Sequence, residues 1–162
     1  MLGVPAPKCS VARLAGPPME TDDVHLDSED GLLVAEIPEG PPKPDRMHLL
    51  APNLIIEVDT TGRPVIVEAR RNMGFWLVRA RLKPDISIRS GQIAVIGPAD
   101  YDYWTDAPAE VARSSAERGA ALILLEFGDP ELGVRISPRV VFFLTKNDQI
   151  SSILLTNVQS LR

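Results

Sequence analysis

Cysteine occurs once in the 162 residues, at Cys9, so the chain has no internal disulfide framework and a lone thiol cannot build a zinc site. Long apolar runs are missing as well. The longest, "GAALILLEFG", is closed by a glutamate and glycines after about seven residues, far short of the roughly 20 that span a bilayer as a helix. The N-terminal stretch "MLGVPAPKCSVARLAGPPM" lacks the continuous apolar core of a signal peptide and is broken by prolines. There is no glycine-rich phosphate cradle and no G-x-S-x-G elbow. These shortages exclude a disulfide scaffold and a helical membrane protein. They lead to the expectation of a cytoplasmic protein without cofactor, metal or membrane contact.

What is present is charge in blocks and a strong β pattern. The net charge of −5 divides unevenly: nine acids face one lysine between Glu20 and Asp45, and seven bases face Glu68 and Asp85 between Arg63 and Arg89. An acidic and a basic segment in one chain can meet within the monomer or between monomers. Residues 1–20 carry Pro5, Pro7, Pro17 and Pro18 without periodicity and read as a proline-rich arm. "VHLD", "SEDG" and "LLVAEI" then read as a hairpin. The proline loop 38–45 follows, and after it the hairpin "NLIIEV", "DTTGR", "PVIVEA", with Leu54, Ile56 and Val58 sharing a face with Val65, Val67 and Ala69. In "FWLVRARL" the alternation sends Trp76, Val78, Ala80 and Leu82 one way and Leu77, Arg79, Arg81 and Lys83 the other. "TDAPAEVARSSAERG" predicts one helix over about 106–118: Asp106 at the N-cap, Pro108 in the first turn, Gly119 past the end, and Ala112, Ala116 and Ala120 as a stripe. "AALILLEF", "VRISPRVVFFLT" and "QISSILL" predict further strands, with Pro138 at an edge or bulge. The expected fold is therefore α+β: antiparallel hairpins in one twisted sheet with the helix packed on it. It forms one domain over 21–162 that divides into β-rich halves, 21–72 and 73–162. "LIIEVDTTGRPVIVEA" aligns without gaps on "VVFFLTKNDQISSILL", 86 positions later, as strand, turn and strand.

Three places carry candidate chemistry. "PADYDYWTDAP" holds three of the chain's eight aromatics within four positions, so Asp100, Tyr101, Asp102, Tyr103 and Trp104 are candidates for contact with a ligand or partner. Trp104 is also placed to anchor the segment on the core, because indole buries a large apolar body. Arg79, Arg81 and Lys83 form a basic ribbon of the kind that follows a phosphate backbone. The acidic net charge and the lack of stacking aromatics on that face argue for a solvated surface and against nucleic acid. His25 and Asp27 share a strand face and would share a metal with His48 only if their two strands paired. The acidic string "DSEDG" fails as an EF-hand because its glycine comes one position early and no glutamate follows at the right spacing. No Ser/His/Asp or Cys/His triad emerges from any spacing, and no catalytic residue is assigned.

"VHLDSEDGLLVAEI" followed by "LLAPNLIIEVDTTGRPVIVEA" resembles the small bacterial family called domain of unknown function 2283. Asp27, Asp30, Leu33, Ile55, Ile56, Asp59, Gly62, Arg63, Val65, Val67 and Glu68 fall on its pattern. The likeness covers residues 24–69, departs at Pro64 and Ile66, and has a longer 38–45 loop. It implies a small β-hairpin domain without known catalysis, some of whose members look like partners of toxin-type proteins. The leading expectation is thus a non-enzymatic binding or assembly protein, homo-oligomeric or antitoxin-like, with a protein partner. The alternatives are a small-molecule-binding protein or enzyme using the 100–106 loop, and a nucleic-acid binder using strand 79–83.

Overall fold

Alternating apolar residues set nearly the whole architecture. The computed structural model describes residues 10–38, 43–96 and 104–161. The first half of the chain holds β1 (Ser10–Leu14), β2 (Asp23–Asp27), β3 (Leu32–Glu36), β4 (Arg46–Ala51), β5 (Leu54–Val58), β6 (Pro64–Arg70) and β7 (Leu77–Arg79). The second holds β8 (Ile88–Ser90), β9 (Gln92–Ile96), β10 (Glu110–Ser114), β11 (Ala121–Leu124), β12 (Leu132–Ser137), β13 (Val140–Leu144) and β14 (Ile150–Leu155). A single 3-10 turn, Met73–Phe75, is the helical element among the described residues. The expected α+β class is therefore wrong: the described residues form a β-rich fold of several sheets with no α-helix.

Three sheets form. Five strands run antiparallel in the order β2-β3-β6-β5-β4, and seven run in the order β7-β10-β11-β14-β13-β12-β8, with only the edge strands β7 and β8 parallel to their neighbours. β1 and β9 pair with each other. The inward faces of both large sheets enter one continuous core: Val24, Leu33, Leu54, Ile56 and Val67 from the first, Val111, Ile123, Phe142 and Ile153 from the second, and Val11, Ile93 and Val95 from the β1–β9 pair. Each fully buried side chain of this size contributes about 1.5–3 kcal/mol.

The two large sheets repeat one five-strand unit. β10-β11-β14-β13-β12 has the order of β2-β3-β6-β5-β4. Ala51 pairs Leu54 after a register shift, and Ser137 pairs Val140 after another; each lies 86 residues from its counterpart. Val58↔Pro64 and Leu144↔Ile150 repeat the coincidence in the next hairpin. The turns match as well. Asp59 Oδ1 accepts from the N–H groups of Thr61 and Arg63, and Thr145 Oγ1 accepts from those of Asn147 and Gln149. Gly62 and Asp148 both take positive φ, 88° and 56°, to close these turns. β9 and β1 then cross over: Val95 N–H donates to Gly62 O, and Val11 N–H donates to Asp148 O.

Two further side-chain ties run crosswise between the units. Asn53 holds Ala109 at both backbone groups, donating to its carbonyl at 2.9 Å and accepting from its N–H at 2.8 Å. The counterpart of Asn53, Arg139, grips Asp22: Nε to Oδ1 is 2.7 Å, and the Arg139 N–H reaches Oδ2 at 2.8 Å. Ser137 Oγ donates to the same Oδ2 at 2.7 Å, so the buried carboxylate is fully bonded.

The 106–118 helix is replaced by β10 and a turn. A helix of about thirteen residues is marginal by itself. Extended, Val111 buries its side chain in the main core and Ala112 in a second cluster on the opposite face. Ala116, in the expected stripe, is exposed. Ser114 Oγ stops the strand by accepting from the N–H groups of Ala116 and Glu117. The alternation of 75–82 also holds only in part: Trp76 and Leu82 are buried, but Val78 is 61% exposed and Ala80 lies in solvent. Pro138 occupies the two-residue turn beside the β12–β13 register shift.

Candidate functional site

The segment 71–84 forms a strap along one edge of the seven-stranded sheet. Asn72 starts it by accepting the Gly74 N–H at 2.9 Å, which closes the 3-10 turn. Trp76 then turns inward and its Nε1 donates to Arg71 O at 2.8 Å. With Trp76 inside, Phe75 is left 67% exposed, under the Arg71 guanidinium at 5.6 Å from its ring centroid. Arg71 is held in turn by the Glu110 carboxylate at 3.2 Å. β7 continues with Leu77 and Val78 outward, its inner edge paired to β10 and its outer edge carrying no strand among the described residues. Ser114 Oγ donates to Ala80 O and fastens the strap's far end.

Beyond β7, Leu82 plugs the outer face of the seven-stranded sheet, joined by Ile86 and Ile88 against Leu122, Val141 and Phe143. Arg79, Arg81 and Lys83 stay in solvent. They line one wall of a cleft of about 400 Å³, whose other wall includes Gly128, Asp129, Ser151 and Ser152. Ser151 is not idle there, since its hydroxyl donates to Gly128 O at 2.7 Å. Among the described residues, none of the three cations has an ion pair. The sequence-predicted ribbon is thus brought together as a cationic rim, with an exposed apolar strip beside it that the alternation pattern did not suggest.

The acidic counterpart lies on the outer face of the five-stranded sheet. Register puts Glu57 opposite Ile66 and Glu68 opposite Ile55, with Val34 and Glu36 on the adjoining strand. Burial first, and then the neighbouring Glu68 carboxylate, hold Glu57 above the ordinary glutamate value. Sequence reading missed this pair. The signal was the two glutamates in "IIEV" and "VIVEA", which occupy the polar phase of strands whose other phase is wholly buried.

The remaining candidates are scattered. Trp104 is 5% exposed, its N–H donates to Leu49 O at 3.0 Å, and its ring meets His48 edge-on at 5.3 Å. Thr105 extends the hold, with its N–H on Leu50 O and its hydroxyl on the Glu126 carboxylate. Trp104 is therefore a core anchor, while Asp100, Tyr101, Asp102 and Tyr103 lie outside the described residues. His25 and His48 sit on β2 and β4, opposite edges of one sheet, so their strands do not pair; His48 is buried and His25 faces outward beside Asp23 at 3.7 Å. Asp27 accepts the Glu29 N–H, which makes the acidic string an Asx turn. Among the described residues no group of three metal-ligating side chains occurs, and no helix is long and apolar enough to cross a membrane. No protein-family model and no curated protein matches the chain.

Proposed function

We propose that the protein is a non-enzymatic binding and assembly module that self-associates through its 75–83 strap. One observation carries the reading: three of the five large apolar residues exposed among the described ones lie together at an open strand edge, Phe75 in the turn that leads into β7 and Leu77 and Val78 on the strand itself. A run of exposed apolar side chains marks a contact surface more than scattered ones do. An unpaired edge also offers backbone N–H and C=O groups to another chain. Arg79, Arg81 and Lys83 oppose pairing with a second basic edge and favour an acidic one.

Sedimentation velocity from low to high micromolar protein tests this. Wild type is expected to show a rising weight-average coefficient, and Val78→Glu to remain monomeric throughout. A monomeric wild type would overturn the reading. So would tight binding of single- or double-stranded nucleic acid that weakens steeply with salt and depends on Arg79 and Arg81, since that behaviour belongs to phosphate neutralisation.

A further inference from the structure

We propose that the outer face of the five-stranded sheet seats the 75–83 strap of a second copy of this chain, in a head-to-tail contact. The proposal rests on the reading of the strap as the binding element and names what that element meets.

The fold itself carries the argument, because it contains the same sheet twice with different cover. On the seven-stranded sheet the outer face is apolar at Val141, Phe143 and Leu154, and the chain lays its own segment over it through Leu82, Ile86 and Ile88. Subtracting 86 residues gives the matching positions on the five-stranded sheet: Ile55, Glu57 and Glu68. On the adjoining strands the match follows register, not the offset of 86: Leu122 and Leu124, opposite Leu154 and Ser152 on the covered sheet, correspond to Val34 and Glu36, opposite Glu68 and Ile66 on the open one. The open face thus keeps the apolar floor of its twin and replaces the larger apolar groups with carboxylates. Ile55 and Glu68, with Leu32, Pro52, Asn53 and Arg70, line a hollow of about 250 Å³ in it.

A cover for this face must bring apolar side chains and positive charge together. Among the described residues, and apart from Arg70 on the next row, the acids there have no base on the same face except His25, which is already beside Asp23. Burial and Glu68 hold Glu57 above its ordinary value, the sign of two carboxylates crowded on a partly dry surface. The strap presents the complement: Phe75, Leu77 and Val78 exposed, then Arg79, Arg81 and Lys83 without ion pairs among the described residues. It presents them on its solvent side, while Leu82 remains tucked under its own sheet.

Size sets the strength. Five strands about 4.8 Å apart and five to seven residues long offer roughly 450 Å². That is little more than half of the about 800 Å² per partner of a standard interface, so the contact is weak and concentration-dependent. Strap and face are different surfaces, so the contact is heterologous and propagates into chains or rings.

Charge reversal separates the two halves of the contact. The strap variant is Arg79→Glu with Arg81→Glu, and the face variant is Glu57→Lys with Glu68→Lys. Each is expected to weaken self-association at least about tenfold in sedimentation velocity, as opposed charges across an interface turn repulsive. Mixed, they should associate again by alternating along the assembly, since the strap of each variant meets a face of opposite charge on the other. Far-UV circular dichroism and urea midpoints check that both variants fold, and the neutral pair Glu57→Gln with Glu68→Gln provides a second, gentler face variant. If the strap variant loses association while both face variants keep it, the head-to-tail contact is overturned and the strap reading survives. If neither alters the association of wild type, or wild type is monomeric, both fall.

Discussion

Trp104 shows at the scale of one residue how an aromatic in a candidate site divides between anchor and contact. Its ring is 5% exposed and meets His48 edge-on, while its backbone N–H bonds to Leu49 O. Its Nε1 has no hydrogen-bond partner among the described residues, so the ring stabilises through packing. Trp104→Ala is expected to cost about 3–5 kcal/mol, the range for large aromatic truncation in a core. Urea titration beside wild type reads it, and a loss under about 1 kcal/mol would take the ring out of the core's support. The sequence carried this role, because a tryptophan between polar neighbours and a strand has few other places to put its indole. It did not carry the exposure of Phe75, which depends on Trp76 turning inward to reach the Arg71 carbonyl. Neither adjacent aromatic announces which one will turn.

At the scale of elements, hairpins were legible and the helix was not. Period-two alternation with Asp-x-x-Gly or Ser-Glu-Asp-Gly between the arms identifies β2–β3 and β5–β6 directly. In 106–118 every local signal favours a helix, yet the slot between β7 and β11 takes an extended strand, since pairing on both sides and burial on both faces outweigh capping and alanine propensity. The repeated turn offers a test of one element against its twin. Burial pushes the Asp59 carboxyl up, but the bonds from the Thr61 hydroxyl, the Thr61 N–H and the Arg63 N–H, with the Arg63 charge, outweigh it and hold Asp59 below its ordinary 3.8. A carboxyl lowered in the folded state gives stability that is complete above the unfolded value and lost as pH falls through the folded one. That window lies below about pH 4. Thr145 does the same work with a hydroxyl that does not titrate. Asp59→Thr should therefore keep the hairpin at neutral pH and lose less stability than wild type between about pH 4 and pH 2. Parallel acid dependence of the two urea midpoints would show that the carboxylate contributes nothing there.

The whole molecule is held by bonds that cross between its halves, and this is the level at which the sequence said least. Halves at 21–72 and 73–162, and an echo at 86 residues, were visible as pattern. That β9 binds the first hairpin's turn while β1 binds the second's is not, because contacts between segments 33 and 137 positions apart leave no periodic trace in either. The same holds for Asp22 and Arg139, 117 positions apart, and for the outer face whose Glu57 and Glu68 only register brings together. Crosswise bonding predicts that the halves do not unfold separately. Asp22 makes the strongest test, because its side chain is 1% exposed and bonded to Ser137 and twice to Arg139. Asp22→Ala removes one member of a buried ion pair. The cost should fall near the low end of the usual range, about 3 kcal/mol, since Arg139 keeps 21% of its side chain in solvent and can still donate to the Asp22 carbonyl. If the crossing bonds couple the units, the urea midpoint drops with the slope unchanged, and tryptophan fluorescence still coincides with far-UV circular dichroism. Trp76 and Trp104 both lie in the shared core, so their common signal follows the junction rather than one sheet. Two separated transitions, or a fluorescence change ahead of the loss of strand signal, would instead mean that each five-strand unit stands alone and that Asp22 and Arg139 only dock one on the other.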